Sequence, residues 1–214
     1  MSTLYSVGLM NQLGDALEKA GYTSDDVTKL RSSQEILGRA LDALHGRAKI
    51  VPADPSEFPV FKTIKLGTGP KTGDELFAAL KGASCEVSEF ATDMLGKNGF
   101  AVASEQTEVE LVVASVGELG FPKGATRREI YERAKELGLE LCPPEVGPQL
   151  RLQYPDQPNG EWLLIAMEPI ADSDGDPSVF RVGHDDGGRW LYGGYGDPGR
   201  RWGAGSRWVF VRRK

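Results

Sequence analysis

Cysteine and histidine are scarce in this sequence of 214 residues, which contains two of each. Cys85 and Cys142 are too few for a disulfide scaffold, and they lack the spacing of a metal site. We therefore expect two reduced thiols. His45 is predicted to end a helix beside Gly46, which leaves His184 as the histidine to weigh as a catalytic base.

Long apolar runs are also absent. No stretch approaches the roughly 20 apolar residues that a membrane-spanning helix needs. The segment Met1–Gly8 has no cationic region followed by an apolar one, so it does not resemble a signal peptide. We expect no membrane partner and a cytoplasmic location. With 40% hydrophobic and 26% charged residues, the composition is that of a folded chain rather than a disordered one.

Positive charge is concentrated at the carboxyl end of an acidic protein. The net charge is −6, yet from Gly187 onward there are seven basic residues and one acid, Asp197, which gives +6. The preceding part of the chain therefore carries −12, the difference between −6 and +6. Such an asymmetry keeps an acidic protein or a nucleic acid open as a partner.

Residues 1–46 are predicted to form a small helical unit. Leucine and alanine recur at helical spacing up to Gly21, and two further helices are expected before Gly46. The short turn after Gly21 is also typical of a helix-turn-helix. The third helix offers only Arg39 as an interior cation, so a packed three-helix bundle is favoured over a DNA-reading unit.

Residues 47–60 are predicted to be a proline-rich linker or an extended arm, because Pro52, Pro55 and Pro59 exclude a helix interior and a central strand. Residues 61–214 then form an α+β domain. Its helices are expected to pack on a mostly antiparallel C-terminal sheet.

Strands are predicted where β-branched and aromatic residues alternate between Asp, Gly and Pro clusters. These segments are Phe61–Leu66, Glu108–Val116, Gln149–Tyr154, Trp162–Met167, Val179–Val182, Arg189–Tyr192 and Arg207–Val211. A helix is predicted over residues 84–95. Another begins at the capping box formed by Thr126 and Glu129 and stops at Gly138.

The glycine-rich segment Gly67–Gly73 lies between a strand and a helix and is similar to a phosphate-binding loop. Pro70 precedes Lys71, however, and its missing N–H removes a donor that would contact phosphate. Thr72 and Glu75 have capping-box spacing. A capped helix start is therefore favoured over a nucleotide site.

Three stretches resemble a set of short bacterial proteins for which no activity is established. They are Thr63–Gly69, Glu145–Tyr154 and Met167–Gly175. The resemblance covers most of the chain from Phe61 onward. It implies a bacterial cytoplasmic origin and transfers no site residue.

Asp172, Asp174 and Asp176 alternate in the way that calcium loops place their first oxygen ligands. Pro177 stands where such a loop needs glycine, and Gly183 stands where it needs a bidentate glutamate. The same Asp/Gly cluster is typical of a tight turn between strands. A divalent cation at these aspartates and a plain turn are the two hypotheses, and the turn is favoured. No other cofactor is predicted.

Glu168 and His184 are the candidates for acid–base chemistry. Glu168 shares a nominal strand face with Trp162 and Leu164, so if buried it needs a cation, for which a tail arginine is the natural partner. His184 stands beside two aspartates, although the segment also reads as a hairpin turn. Pairing of Cys142 with His184 is a further possibility for nucleophilic catalysis.

Aromatic rings and arginines alternate through the C-terminal segment. If these rings are buried, they form the hydrophobic face of the sheet. If they are exposed, they can stack against bases while the arginines contact phosphates. The glycine-rich stretch from residue 193 to 205 is predicted to be a loop, which makes a subset of the side chains available to a ligand. These candidate ligand-binding residues are Tyr195, Arg200, Arg201, Trp202 and Arg207.

The sequence thus favours a non-enzymatic intracellular binding protein whose basic and aromatic C-terminal surface contacts an acidic protein or a nucleic acid. The alternative is a small metal-assisted hydrolase built on Glu168, the Asp172–Asp176 loop and His184. A protein whose only role is assembly is a third hypothesis.

Overall fold

The computed structural model describes residues 7–19, 23–24, 27–28, 32 and 58–213. The chain divides into two compact units, Met1–Val51 and Pro52–Lys214. In the first unit, helix α1 spans Val7–Lys19, where the sequence predicts a helix. Most of the two further predicted helices and residues 47–57 of the predicted linker lie outside the described residues. Among those described, no helix is long and apolar enough to cross a membrane.

The second unit contains a nine-stranded, mostly antiparallel sheet with helices packed on it, so the predicted α+β class is confirmed. The main path of the sheet runs β1–β3–β11–β6–β8–β9–β2, while β5 pairs with β11 and β7 with β8. Among the described strands, only the pairs β11–β6 and β2–β9 are parallel. A separate two-stranded sheet joins β4 and β10. The strands are β1 Val60–Leu66, β2 Cys85–Val87, β3 Thr107–Ser115, β4 Ala125–Thr126, β5 Leu139–Glu140, β6 Trp162–Ile165, β7 Ile170–Ala171, β8 Pro177–Asp185, β9 Gly188–Tyr195, β10 Arg201–Trp202 and β11 Arg207–Arg212.

Four helices of this unit begin at identifiable residues. They are α2 Gly73–Gly82, α3 Glu89–Leu95, α4 Arg127–Glu136 and α5 Val146–Gln153. The side chains of Thr72, Ser88 and Thr126 each accept a hydrogen bond from a backbone N–H of the helix that follows. At α4 the box is reciprocal, because Glu129 also accepts from the Thr126 N–H. Gly138 has a φ of 75°, which ends this helix in the left-handed conformation.

Two predicted elements are wrong, and the loop predicted from residue 193 to 205 in fact contains the end of β9 and strand β10, which pairs with β4. The helix expected over residues 84–95 is in fact strand β2 followed by α3, because β2 joins the edge of the sheet beside β9 and Ser88 starts the helix. The strand expected at Gln149–Tyr154 belongs to helix α5. All six residues from Val146 to Arg151 are buried, so α5 has no solvent-facing stripe that could reveal a helical period.

The helices α3 and α5 pack on one face of the sheet. A Cβ at Gly147 of α5 would meet the Phe180 ring, and one at Gly193 would meet Met94 of α3. On the opposite face, Trp208, Leu164, Arg181 and Tyr192 follow one another across four neighbouring strands. Of these four, Trp208 and Leu164 are buried, whereas Arg181 and Tyr192 are only half-buried. This second face is therefore partly open to solvent over β8 and β9.

Candidate functional site

The open face of the sheet carries a set of aromatic rings and guanidinium groups that we call the aromatic–arginine stripe. It consists of Trp162, Arg181, Trp190, Tyr192, Tyr195, Arg200 and Trp202. The register of the strands brings it together, because Arg181 lies opposite Tyr192 while Gly183 lies opposite both Trp190 and Trp162. Side chains directly opposite one another on neighbouring strands point to the same face.

Gly183 gives Trp162 the room to lie across the strand. A Cβ on Gly183 would stand 2.1 Å from Cε3 of Trp162, closer than any real contact. Because this position has no side chain, the indole can cover β8 and reach the neighbouring Tyr192 ring, whose centroid is 5.3 Å away. The glycine thus sets the position of a stripe residue.

Arg181 holds its charge among three rings. Its Cζ is 4.5 Å from the ring centroid of Trp162, 5.0 Å from that of Tyr192 and 5.4 Å from that of Tyr195. Among the described residues no carboxylate pairs with Arg181, and its buried Nε atom has no hydrogen-bond partner. The rings stabilise the cation by their quadrupoles, but they do not neutralise it.

Arg200 repeats this arrangement at the end of the stripe. Its Cζ lies 4.1 Å from the Tyr195 ring centroid and 5.2 Å from that of Trp202. Like Arg181, Arg200 has no ion pair within the described part of the chain. Tyr195 is 46% exposed and has a φ of 63°, a left-handed conformation that is uncommon for a bulky residue. The strained backbone at the end of β9 presents this ring to solvent.

Trp202 ties the stripe to the core through edge-to-face contacts. Its ring centroid is 5.2 Å from that of buried Trp208, which in turn is 5.6 Å from that of Tyr131 in α4. The Tyr131 hydroxyl donates to the Met167 carbonyl and accepts from the Met167 N–H, both at 3.1 Å. Burial raises the pKa of the Tyr131 phenol well above its ordinary value. These fixed rings hold Trp202 in place beneath Arg200.

The other end of the stripe is a stacked pair of rings. The centroids of Trp190 and Tyr192 are 4.9 Å apart, with the two planes inclined by 24°. The indole N–H of Trp190 donates to Oδ1 of Asp185 at 3.0 Å, and the Gly187 N–H donates to the same oxygen. This end of the stripe therefore stands beside a carboxylate rather than a cation.

Three of the five predicted ligand-binding residues, Tyr195, Arg200 and Trp202, lie in the stripe. Arg201 donates instead to the Gly124 carbonyl at 3.0 Å. Arg207 forms a 2.6 Å ion pair with Glu161, whose side chain is only 11% exposed. Two other arginines of the basic tail are also paired, Arg212 with Glu110 and Arg213 with Glu140. Much of the tail charge is thus matched by acids from the preceding chain.

Sequence reasoning missed Trp162 and Arg181 as site residues and assigned Trp190 and Tyr192 to a sheet face without deciding whether it is covered. These four residues belong to three strands, and only the strand register places them side by side. A usable signal was present in β8, where Arg181 and Gly183 interrupt an otherwise apolar run at alternate positions. That pattern marks one face of β8 as different from the other.

The Asp172–Asp176 loop has the geometry of the tight turn that the sequence favours. Oδ1 of Asp172 accepts from the N–H groups of Asp174 at 3.1 Å and Asp176 at 2.9 Å. Ser173 is held separately by both carboxylate oxygens of Asp93. The described residues contain no group of three His, Cys, Asp or Glu side chains placed to hold a metal ion.

The residues of the hydrolase hypothesis lie apart. The Asp172–Asp176 loop precedes β8 and His184 lies near its far end, roughly 20 Å away along the strand. Nδ1 of His184 is 2.6 Å from the Gln157 carbonyl oxygen. Glu168 is exposed, so it does not need the cation that burial would require. It borders a depression of about 460 Å³ that Lys135 and Arg213 also line.

Cys142 and the glycine-rich segment have structural roles. The Cys142 thiol is buried and donates to the Val209 carbonyl, and burial raises its pKa well above the ordinary value, which opposes formation of a nucleophilic thiolate. In the glycine-rich segment, Nζ of Lys71 donates to the Gly67 carbonyl at 2.7 Å. The N–H of Lys71 donates to Glu75. This segment therefore starts a capped helix, as the sequence favours.

Comparison of the chain with protein-family models, with curated proteins and with solved structures finds no match.

Proposed function

We propose that the protein is a non-enzymatic binding protein that holds a nucleic acid on the aromatic–arginine stripe. The observation that carries this proposal is the pair Arg181 and Arg200. Each guanidinium lies between 4.1 and 5.4 Å from two or more ring centroids, and neither has an ion-pair partner among the described residues. The resemblance to short bacterial proteins supports a bacterial cytoplasmic setting as part of the same proposal.

An anionic ligand is favoured because the charge of half-buried Arg181 has no counter-ion among the described residues, which is costly. The acids bordering the stripe are already engaged: Glu161 binds Arg207 and Tyr154, while Asp185 binds Trp190. An arginine that stacks on aromatic rings keeps its in-plane N–H groups free for a phosphate or a carboxylate. A partner that brings such an anion would neutralise the positive charges of Arg181 and Arg200.

The rings favour one of the two partner classes that the sequence leaves open. Carboxylates of an acidic protein can pair with Arg181 and Arg200, but they make no use of the five aromatic side chains beside them. Nucleic acids combine phosphates with flat bases that stack on aromatic rings and on guanidinium planes. The mixture of rings and cations therefore favours nucleic acid over an acidic protein.

The proposal is tested by fluorescence anisotropy with a labelled oligonucleotide of mixed sequence and, separately, a labelled polyglutamate peptide. We expect the oligonucleotide to bind and to dissociate as salt is added. Arg200→Ala should weaken binding and reduce the slope of log K against log salt by about one, the effect of losing one phosphate contact. Arg213→Ala is the matched control, because it removes the same charge from the same tail at a residue paired with Glu140.

Two outcomes contradict the proposal. Equal loss of affinity in Arg200→Ala and Arg213→Ala would mean that only the net charge of the tail matters. Binding of polyglutamate but not of the oligonucleotide would assign the stripe to an acidic protein instead.

A further inference from the structure

We infer that the ligand of the stripe is a single strand of nucleic acid, with unpaired bases stacked on its rings and phosphates on Arg181 and Arg200. This inference rests on the proposed function and narrows it to one class of ligand. It follows from the order of the groups, from the partial exposure of the rings and from the acids at both ends of the stripe.

Rings and cations alternate in the part of the stripe from Tyr192 to Trp202, whereas Trp190 and Trp162 contact the Tyr192 ring directly. Arg181 contacts both Tyr192 and Tyr195, and Arg200 contacts both Tyr195 and Trp202. Every successive ring-to-guanidinium distance along this series is 5.4 Å or less. A single strand also alternates, between a flat base and a charged phosphate. The rings and guanidinium groups of this part of the stripe thus correspond to the bases and phosphates of a single-stranded nucleic acid.

A duplex cannot use the rings in this way. Its bases are stacked on one another and paired, so it presents groove edges and phosphates rather than base faces. A row of half-buried rings on a sheet gains contact only with bases that are free to unstack. The phosphate contacts of Arg181 and Arg200 alone would bind either form, and the rings therefore supply the preference.

Carboxylates mark the two ends of the stripe. Asp185 lies at the Trp190 end, where its Oδ1 accepts from the indole. Asp197 lies at the other end, where its Oδ1 accepts from the Gly199 N–H and its carbonyl from the Arg200 N–H. Both repel phosphates that continue beyond the stripe. The bound segment is accordingly short, about four nucleotides, at the low end of the sizes found for sheet-based single-strand sites.

The test compares labelled DNA and RNA oligonucleotides in single-stranded form with the same sequences annealed to their complements. We expect at least a ten-fold preference of the wild-type protein for the single strand, with quenching of tryptophan fluorescence on binding. Affinity should stop rising with oligonucleotide length once the short site is filled.

A pair of substitutions at Tyr195 isolates the ring. Tyr195→Phe keeps the ring and should bind as the wild type does, whereas Tyr195→Leu should lose roughly ten-fold in single-strand affinity, which is the usual cost of one stacked base. The residue at position 195 has the same left-handed backbone conformation in both variants, so backbone strain does not explain a difference in their affinities. The loss of affinity in Tyr195→Leu should be larger for the single strand than for the duplex.

Equal affinity for single strand and duplex would overturn the inference and leave the proposed function in place. An unchanged single-strand affinity in Tyr195→Leu would also overturn it. Failure of every oligonucleotide to bind would instead remove the proposed function itself. If Tyr195→Leu does not fold, the comparison of single strand with duplex on the wild-type protein still decides the matter.

Discussion

The indole of Trp162 lies across Gly183 of the neighbouring strand, where a Cβ would stand 2.1 Å from its Cε3 atom. We expect Gly183→Ala to push the indole off β8 and away from Arg181. Such crowding should lower the free energy of unfolding by roughly 1–3 kcal/mol. It should also weaken nucleic-acid binding. Urea denaturation followed by tryptophan fluorescence measures the first effect, and anisotropy the second.

Gly205→Ala serves as its control, because a Cβ there would meet no atom within 4 Å. Both variants replace one glycine by alanine, and the two positions differ in the space available for the added Cβ. Equal stability of the two variants would show that the position of Trp162 does not depend on the absence of a side chain at Gly183.

Arg181 should be important for binding and of little importance for stability. It has no ion pair among the described residues, so Arg181→Met removes a charge that lacks a counter-ion while keeping an unbranched side chain against the rings. We expect the free energy of unfolding to fall by less than about 1 kcal/mol, because the loss of the ring contacts is offset by removal of a half-buried charge without a counter-ion. Oligonucleotide affinity should fall several-fold in the same variant.

The comparison variant is Arg151→Met. Arg151 is fully buried and donates to Gln157 and to the carbonyls of Tyr154 and Gly183. Its loss leaves these acceptors unpaired and should cost roughly 3 kcal/mol or more. If chemical denaturation found Arg181→Met as damaging as Arg151→Met, Arg181 would have to be regarded as a structural residue.

Glu145 is a buried carboxylate, 1% exposed, that joins three parts of the chain. It accepts from the N–H groups of Gly67 and Ala103, both at 2.8 Å, and from the Gln149 side chain at 3.1 Å. Glu145→Ala should therefore lower the free energy of unfolding by roughly 3 kcal/mol or more, since all three donors lose a charged acceptor. Thermal unfolding followed by circular dichroism provides the measurement.

Glu75→Ala provides the reference for Glu145→Ala. Glu75 is exposed and accepts one backbone hydrogen bond, from Lys71, so its loss should cost about 1 kcal/mol. A smaller effect for Glu145→Ala than for Glu75→Ala would contradict the structural role assigned to Glu145.

Stability should fall in alkaline solution in a way that depends on Tyr154. Burial, together with the hydrogen bond to Glu161, raises the pKa of Tyr154 to about 12 from an ordinary value of 10.0. The unfolded chain loses this proton at lower pH than the folded chain does, so the contribution is complete below pH 10 and is lost as the pH rises from 10 to about 12. Urea denaturation at a series of pH values should show the wild type losing stability relative to Tyr154→Phe within this window. If the free energy of unfolding changed with pH in the same way in both proteins, Tyr154 would not be the source of the alkaline loss of stability.

Calcium or magnesium should not stabilise the protein. Oδ1 of Asp172 is already used by the N–H groups of Asp174 and Asp176, which is the geometry of a turn. We expect the same melting temperature with millimolar calcium, with millimolar magnesium and with a chelator. An increase in melting temperature with either cation that disappears in the double variant Asp172→Asn, Asp174→Asn would favour the alternative hypothesis, the metal-assisted hydrolase.

Local signals in the sequence predict much of the fold. The capping box at Thr126 and Glu129 depends on residues three positions apart, and the helix that it starts is found where predicted. The alternating pattern of β1 and the turn residues between β8 and β9 act over similarly short distances. Helix α5 could not be recognised in this way, because burial on all sides removes the polar positions that reveal a helical period.

The candidate site was harder to predict because it depends on strand register. Tyr195, Arg200 and Trp202 are close in sequence, and a glycine-rich segment suffices to mark them as available to a ligand. Trp162 and Arg181 join them only because β6, β8 and β9 are neighbours with a particular alignment. Arg207 is the opposite case, because the sequence predicts it to be available to a ligand whereas the structure pairs it with Glu161. That acid is 46 residues away in sequence, so local patterns do not reveal the pairing.

Ultraviolet cross-linking of the wild-type protein to a short single-stranded oligonucleotide, followed by mass spectrometry of the linked peptides, tests the central claim most directly. Zero-length cross-links form where bases lie against aromatic rings. We predict links at Tyr195, at Trp202 and in the segment from Trp190 to Tyr192, with fewer links when duplex is used. Links confined to peptides outside the aromatic–arginine stripe, or equal labelling by single strand and duplex, would contradict the account.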